Sequence, residues 1–155
     1  MSDFKTYDHY GLHFHYPTGW ELEETPFDSQ TGSVQLTSPT NAFWIVTRHP
    51  FGTSPDTVAA DVLKSIKKDY RDLEYEPVIK TLFGHQLTGY EIHFFYLDLT
   101  NTASILCFAD ETTTHGIFWQ CGDQMVVNSG GESPVEIEKV FEAITYSLLK
   151  NWKNV

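Results

Sequence analysis

Between Tyr90 and Gln120 the chain runs through YEIHFFYLDL, SILCFAD and HGIFWQ without a single lysine or arginine. The three strand-length runs are rich in β-branched and aromatic residues, and short polar segments separate them. That pattern predicts a meander of antiparallel strands. A turn around Leu99 to Thr102 that sets Asp98 opposite Ala103, and a turn centred on Thr114 that sets Cys107 opposite Cys121, sort the side chains by the two-residue period. One face then collects Tyr90, Ile92, Phe94, Tyr96, Ile105, Cys107, Ala109, Ile117 and Trp119 and is expected to meet the core. The other carries Glu91, His93, Phe95, Ser104, Phe108, Asp110, Phe118 and Gln120, a mixed aromatic and polar surface.

Upstream, Leu12, Phe14 and Tyr16 alternate with His13 and His15 and read as a first strand. Tyr16-Pro17-Thr18-Gly19 fits a type I turn, from which Trp20 to Glu24 returns as a second strand. Ser33 to Thr37 is a short strand. Phe43, Trp44, Ile45 and Val46 are apolar in succession, which places Phe43 to His49 centrally in a sheet. Leu73 to Lys80 contains Pro77, which cannot complete an interior ladder, so that run is expected at an edge. Met125 to Val127 reads as one further short strand after the ribbon.

Two helices are legible from their starts and stripes. Ser54 caps the first, with Pro55 in the first turn and Asp56 at the positive end of the dipole. Val58, Val62, Leu63, Ile66 and Tyr70 give it an apolar stripe. The second opens at Ser133-Pro134-Val135-Glu136, a capping box, and buries Ile137, Val140, Phe141, Ile144 and Leu148. The expected fold is α+β: a mostly antiparallel sheet of six to seven strands with helices at about 54–71 and 134–149. If both helices cover the same side, the reverse of the sheet stays open to a partner.

The chain has 155 residues, enough for one domain that buries about 68–70% of its unfolded surface without a metal or disulfide. A formal charge of −11 argues against nucleic acid, whose binding draws on lysine and arginine that release counterions. Its distribution sharpens this exclusion. Thr6 to Thr47 and Thr81 to Glu138 hold no lysine or arginine, while Lys64, Lys67, Lys68 and Arg71 share one stretch of helix. Such a field also suits an anionic membrane poorly. No apolar run approaches the 18 or so residues of a membrane span, and MSDFKTYDHYG has no secretory or transit pattern, so the expected location is the cytoplasm. There Cys107 and Cys121 read as small buried hydrophobes, with a cross-hairpin disulfide as the alternative.

Tyr10-Gly11 with Phe14, Tyr16-Pro17-Thr18-Gly19-Trp20, a helix after Ser54-Pro55, then Gly84, Gly89-Tyr90, two long strands and a closing helix through Ile144-Thr145-Tyr146-Ser147-Leu148 follow one another in this chain. From Tyr10 to Leu148 that order resembles the PsbP-like family. It includes a photosystem II extrinsic protein, a Ran-binding nuclear-transport protein and many bacterial domains. The resemblance implies an α/β/α sandwich and a noncatalytic protein-binding or assembly role. Some bacterial relatives are adaptor chaperones that hold apolar helices against an open sheet. No lumen-targeting segment is present, so the photosystem role does not carry over, and the matching positions are structural.

HExxH, CxxC, GxSxG, GxGxxG and GxxxxGK are all absent. His13 and His15, two apart on a strand, share a face and have the spacing of two zinc ligands, with His93 a third if the strands neighbour; the competing reading is a solvated strand face. Glu21, Glu23, Glu24 and Asp28 have the residue types of a carboxylate pair, but consecutive glutamates on a short strand more often form a solvated edge. Asn128 to Ser133 resembles an anion cradle, against which Pro134 removes a donor and Glu132 repels. The expectation is therefore a cytoplasmic protein-binding or adaptor domain with no cofactor. It engages another protein through His93, Phe95, Phe108 and Phe118. A small-ligand carrier, or an enzyme with a pocket between helix and sheet, is the alternative, and a homo-oligomer is compatible with the same surfaces.

Overall fold

A computed structural model describes residues 3–28, 30–70, 72–96, 99–111, 113–122 and 134–152. Among the described residues nine strands, β1 (Phe4–His9), β2 (Leu12–Pro17), β3 (Glu21–Thr25), β4 (Gly32–Thr37), β5 (Phe43–His49), β6 (Leu73–Leu82), β7 (His85–Tyr96), β8 (Leu99–Ala109) and β9 (Thr114–Gly122), accompany two helices, α1 (Pro55–Asp69) and α2 (Pro134–Lys150). Seven strands form one sheet in the order β3-β4-β5-β9-β8-β7-β6, with every neighbouring pair antiparallel, and β1-β2 forms a separate hairpin. The fold is α+β. Met125 to Val127, the Asn128 to Ser133 loop and the cap at Ser133 lie outside the described residues.

Local chemistry explains the connections. Tyr10 and Gly11 both take positive φ, as do Phe83 and Gly84, and each pair makes a two-residue hairpin turn whose twist matches that of its strands. Ser54 accepts a hydrogen bond from the Asp56 N–H at 3.2 Å, which starts α1 as its sequence predicts. That helix carries the chain from β5 to the far edge, where β6 begins, and Pro77 does sit in an edge strand. The meander β6-β7-β8-β9 then returns to pair with β5.

Pairing sorts the sheet into two faces. On one, Ile92, Phe94, Ala103, Ile105 and Cys107 pack against Val58, Ala59, Leu63 and Ile66 of α1. On the other, Val34, Leu36, Trp44, Val46, Leu106, Phe108, Ile117 and Trp119 meet Phe141, Ile144 and Leu148 of α2 together with Leu12, Phe14 and Tyr16 of the hairpin. Trp44 donates its indole N–H to Thr145 Oγ1 at 3.0 Å, and Thr145 donates to the Phe141 carbonyl at 2.8 Å, so the buried polar atoms joining β5 to α2 are satisfied. The helices thus lie on opposite faces, and the expectation that both cover one side is corrected. Its cause lies in the first strand. Phe4–His9 was not expected as β1, so β2 was expected to pair with the strand at Trp20–Glu24, whereas that strand, β3, pairs with β4 and leaves β1-β2 free to roof the sheet.

The register expectations also change. Ala103 faces Ile92, an even shift from the expected partner that preserves the faces of β7 and β8. Cys107 faces Gly116 and Cys121 faces Thr102, an odd shift that turns all of β9 over. The turn is responsible: Asp110 accepts the Thr113 N–H through its side chain at 2.8 Å, and its own N–H reaches the Thr113 carbonyl, so the chain reverses earlier than Thr114. Neither cysteine is in a disulfide, and both are buried, on opposite faces of the sheet. Among the described residues no helix is long and apolar enough to cross a membrane.

Candidate functional site

The surface expected from sequence does not assemble. His93 is exposed on β7, and Phe95, two residues on, is 67% exposed on the same face. Phe108 shares that face but is 1% exposed, covered by His85, His115 and Trp152, and is core. Phe118, turned over with β9, is half-buried on the α1 face, where it packs edge-on against Phe43 with ring centres 5.3 Å apart. Two of the four residues therefore remain available to a partner.

The polar candidates separate as well. His13 and His15 do share a face of β2, with ring centroids 5.4 Å apart, but His13 Nδ1 faces Asp8 at 3.6 Å and His15 Nδ1 faces Thr6 Oγ1 at 3.0 Å. β2 pairs with β1 alone, and β7, which carries His93, is not its neighbour. Among the described residues no group of three or more His, Cys, Asp or Glu side chains is placed to hold a metal ion. Glu21, Glu23 and Glu24 are exposed on the edge strand β3. Asp28 accepts the N–H groups of Gln30 and Thr31 at 2.7 Å each, bonds that hold its carboxyl below the ordinary carboxylate range and shape the β3-β4 loop.

Two concave regions stand out, and neither was expected from sequence. The first is a groove of about 440 Å³ between the hairpin and α2, lined by Phe4, His15, Lys139, Val140, Ala143, Ile144 and Ser147. The helical period sets its wall, because Val140, Ile144 and Ser147 recur at three- and four-residue spacing toward the hairpin. Ser147 fixes the two elements together: its hydroxyl accepts the His15 backbone N–H at 3.1 Å and donates to the Ile144 carbonyl at 2.8 Å. The lining is almost wholly aliphatic and aromatic, with Lys139 the cation beside it.

The second is a polar cleft of about 260 Å³ between the β6-β7 and β8-β9 turns, lined by Gly84, His85, Gln86, Phe108, Ala109, Asp110 and Glu111. Behind it lies a buried cluster. Arg48 donates from Nε to His115 Nε2 at 3.1 Å, and its other nitrogens reach the carbonyls of Asp28 and Tyr10. His115 is 1% exposed, stacks on Phe108 and meets Trp152 edge-on with ring centres 4.5 Å apart. Trp152 donates its indole N–H to Asp110 at 3.1 Å and packs edge-on against Phe108 and His115, which makes it a packing peg. Burial, then the adjacent Arg48 charge, push His115 down to about 3. With Nε2 accepting from Arg48, the ring hydrogen sits on Nδ1. An imidazole held this low and this deeply is a poor proton acceptor at neutral pH, and the cluster reads as a structural tie among three loops. Its sequence signal was Arg48 itself, which ends a run without lysine or arginine reaching back to Thr6.

No family model matches the chain, and no curated protein matches it. Among solved structures it is similar to the protein of unknown function PA94 from Pseudomonas aeruginosa, with 9% sequence identity and a TM-score of 0.47 over 95% of this chain and 96% of that one.

Proposed function

We propose that this is a noncatalytic binding domain that takes up an apolar segment of another protein in the groove between the β1-β2 hairpin and α2. The carrying observation is the groove's lining: Phe4, Val140 and Ala143 offer apolar surface to solvent over the buried Ile144, at a place where two elements are already fixed to each other. A preformed apolar recess loses little freedom when it is filled. Support for a noncatalytic role comes from the separation of the histidines and carboxylates and from the structural engagement of His115. The charge of −11 supports a partner other than nucleic acid. A cytoplasmic setting is supported by two cysteines outside any disulfide, held apart on opposite sheet faces. The PsbP-like resemblance, with its assembly and adaptor roles, points the same way.

Ala143→Asp tests the groove. Ala143 is exposed on α2, so a charge there leaves the thermal midpoint within about 2 °C while filling the recess with a carboxylate. Capture of a partner by the native chain and by Phe95→Ser, together with its loss in Ala143→Asp, is the expected result; capture unchanged in Ala143→Asp removes the groove from the function.

A volume of about 440 Å³ also lies within the range of small-molecule sites, which favours a second reading as a carrier of a small apolar ligand. A thermal-shift screen separates the two, because a small ligand raises the midpoint by mass action in the native chain and not in Ala143→Asp.

A further inference from the structure

The edge strand β6 divides its side chains by charge. Glu74, Glu76 and Lys80 all project to the α2 side of the sheet, and Lys80 pairs there with Glu91 at 3.8 Å. Tyr75, Pro77, Ile79 and Thr81 project to the α1 side, and none of them is charged. Such segregation normally marks a face destined for the core. Here it is not covered. α1 packs on β7, β8 and β9, and touches β6 through Lys67, whose ammonium lies 4.2 Å from the centre of the Tyr75 ring. Beyond that contact Ile79 is 71% exposed and Tyr75 46% exposed, with Tyr90 edge-on to Tyr75 at 5.8 Å.

The strip from Tyr75 to Ile79 is about 13 Å long at the rise of a strand. One border is α1, which reaches it through Lys67 and carries Lys64 and Lys68 exposed on the same helix. In a chain of net charge −11, a run of exposed lysines on α1 stands next to uncovered apolar surface here. Strand addition at this edge is opposed by Pro77 and by the charges of Glu74, Glu76 and Lys80. An occupant therefore lies on the face of β6 beside α1 and does not extend the sheet.

We propose that this ledge docks an acidic segment of another protein, one in which Asp or Glu meets Lys64, Lys67 and Lys68 while aliphatic or aromatic side chains cover Ile79 and Tyr75. Charge complementarity selects the partner: a basic segment is repelled by the lysines, and a purely acidic one leaves the apolar strip wet. The ledge lies across the sheet from the groove between the hairpin and α2, so it neither needs nor excludes an occupant there.

Fluorescence anisotropy on the full chain tests it, using a labelled synthetic peptide that alternates glutamate with leucine. Binding is expected to weaken at least about tenfold in the triple variant Lys64→Glu, Lys67→Glu, Lys68→Glu and by a similar factor in Ile79→Ser. Raising salt well past 0.1 M, where the screening length is about 10 Å, is expected to weaken it too. Ala143→Asp is expected to bind the peptide as the native chain does, which keeps this surface distinct from the groove. Binding unaffected by the lysine and Ile79 changes overturns the proposal. So does binding to phosphatidylglycerol vesicles but not to the peptide, which assigns the ledge to a membrane surface. A native dimer in light scattering that Ile79→Ser dissociates, with no peptide bound, also overturns it by giving the ledge to a second copy.

Discussion

Arg48 Nε donates to His115 Nε2 at 3.1 Å across the β5-β9 pair, where the two residues are direct cross-strand partners. One guanidinium thereby fixes a buried imidazole and, through Asp28 and Tyr10, the two loops on its other side. The arrangement keeps a planar cation where its donors find carbonyls, which a lysine cannot reproduce. Burial keeps the imidazole neutral, and Arg48 adds to this by disfavouring a second positive charge beside it.

Acid stability follows from that pairing. The folded His115 pKa of about 3 lies below the ordinary value of 6.5, so above 6.5 both states are neutral and the full stability is present. As pH falls below 6.5 the unfolded chain takes up a proton that the folded chain refuses. Stability is then lost progressively toward pH 3, at up to about 1.4 kcal/mol per pH unit. Urea melts of the native chain between pH 7 and pH 4 are expected to show this slope. In His115→Gln that part of the slope disappears; an unchanged slope would assign it to other groups.

Phe95 and Phe108 separate surface from core on one face of the sheet. Phe95→Ser is expected to leave the midpoint within about 2 °C, because the ring is already in water. Phe108→Ser empties a site enclosed by His85, His115 and Trp152, at a cost of about 3–5 kcal/mol. Thermal melts followed by near-ultraviolet circular dichroism measure both, and equal effects would contradict the two environments.

The helices, the meander and the edge position of β6 were legible because each is written locally: Ser54-Pro55-Asp56 is a helix start wherever it occurs, and Pro77 disqualifies an interior strand in any sheet. The candidate surface was not legible, because it depended on register. A single odd shift set by the Asp110 turn moved Phe118 to the other face, and the covering of Phe108 depended on His85, His115 and Trp152, which come from three separate stretches of the chain. The groove needed still more distant information, since Phe4 and Ile144 come from opposite ends of the chain.

The same odd shift governs the thiols. Cys107 and Cys121 lie on opposite faces of adjacent strands, so no rotamer change brings their sulfurs together. Burial pushes the Cys107 thiol up to about 12, which leaves almost no thiolate at neutral pH. Chain purified without reductant is expected to release two thiols to Ellman's reagent in guanidinium and essentially none when native. A titre of zero in denaturant would mean a disulfide and a different β8-β9 pairing.

Gly89 is the position at which the sheet tolerates no side chain. A Cβ built there falls within the van der Waals shell of the Ile105 carbonyl oxygen, on the strand that β7 pairs with. The clash is with backbone, so no rotamer relieves it. Relief requires β7 and β8 to move apart in the middle of their ladder, where Ile105 and Leu106 are also buried against opposite faces. Gly89→Ala is therefore expected to cost about 3 kcal/mol or more, well above the fraction of a kcal/mol that the same change gains at an unstrained site. Gly52→Ala is the informative comparison. Its φ of +90° strains any side chain, yet no neighbouring atom lies within 4 Å, so its cost is backbone strain alone, about 1–2 kcal/mol. Denaturant melts that rank Gly52→Ala as the more damaging change would show that β7 and β8 are not in close contact at Gly89.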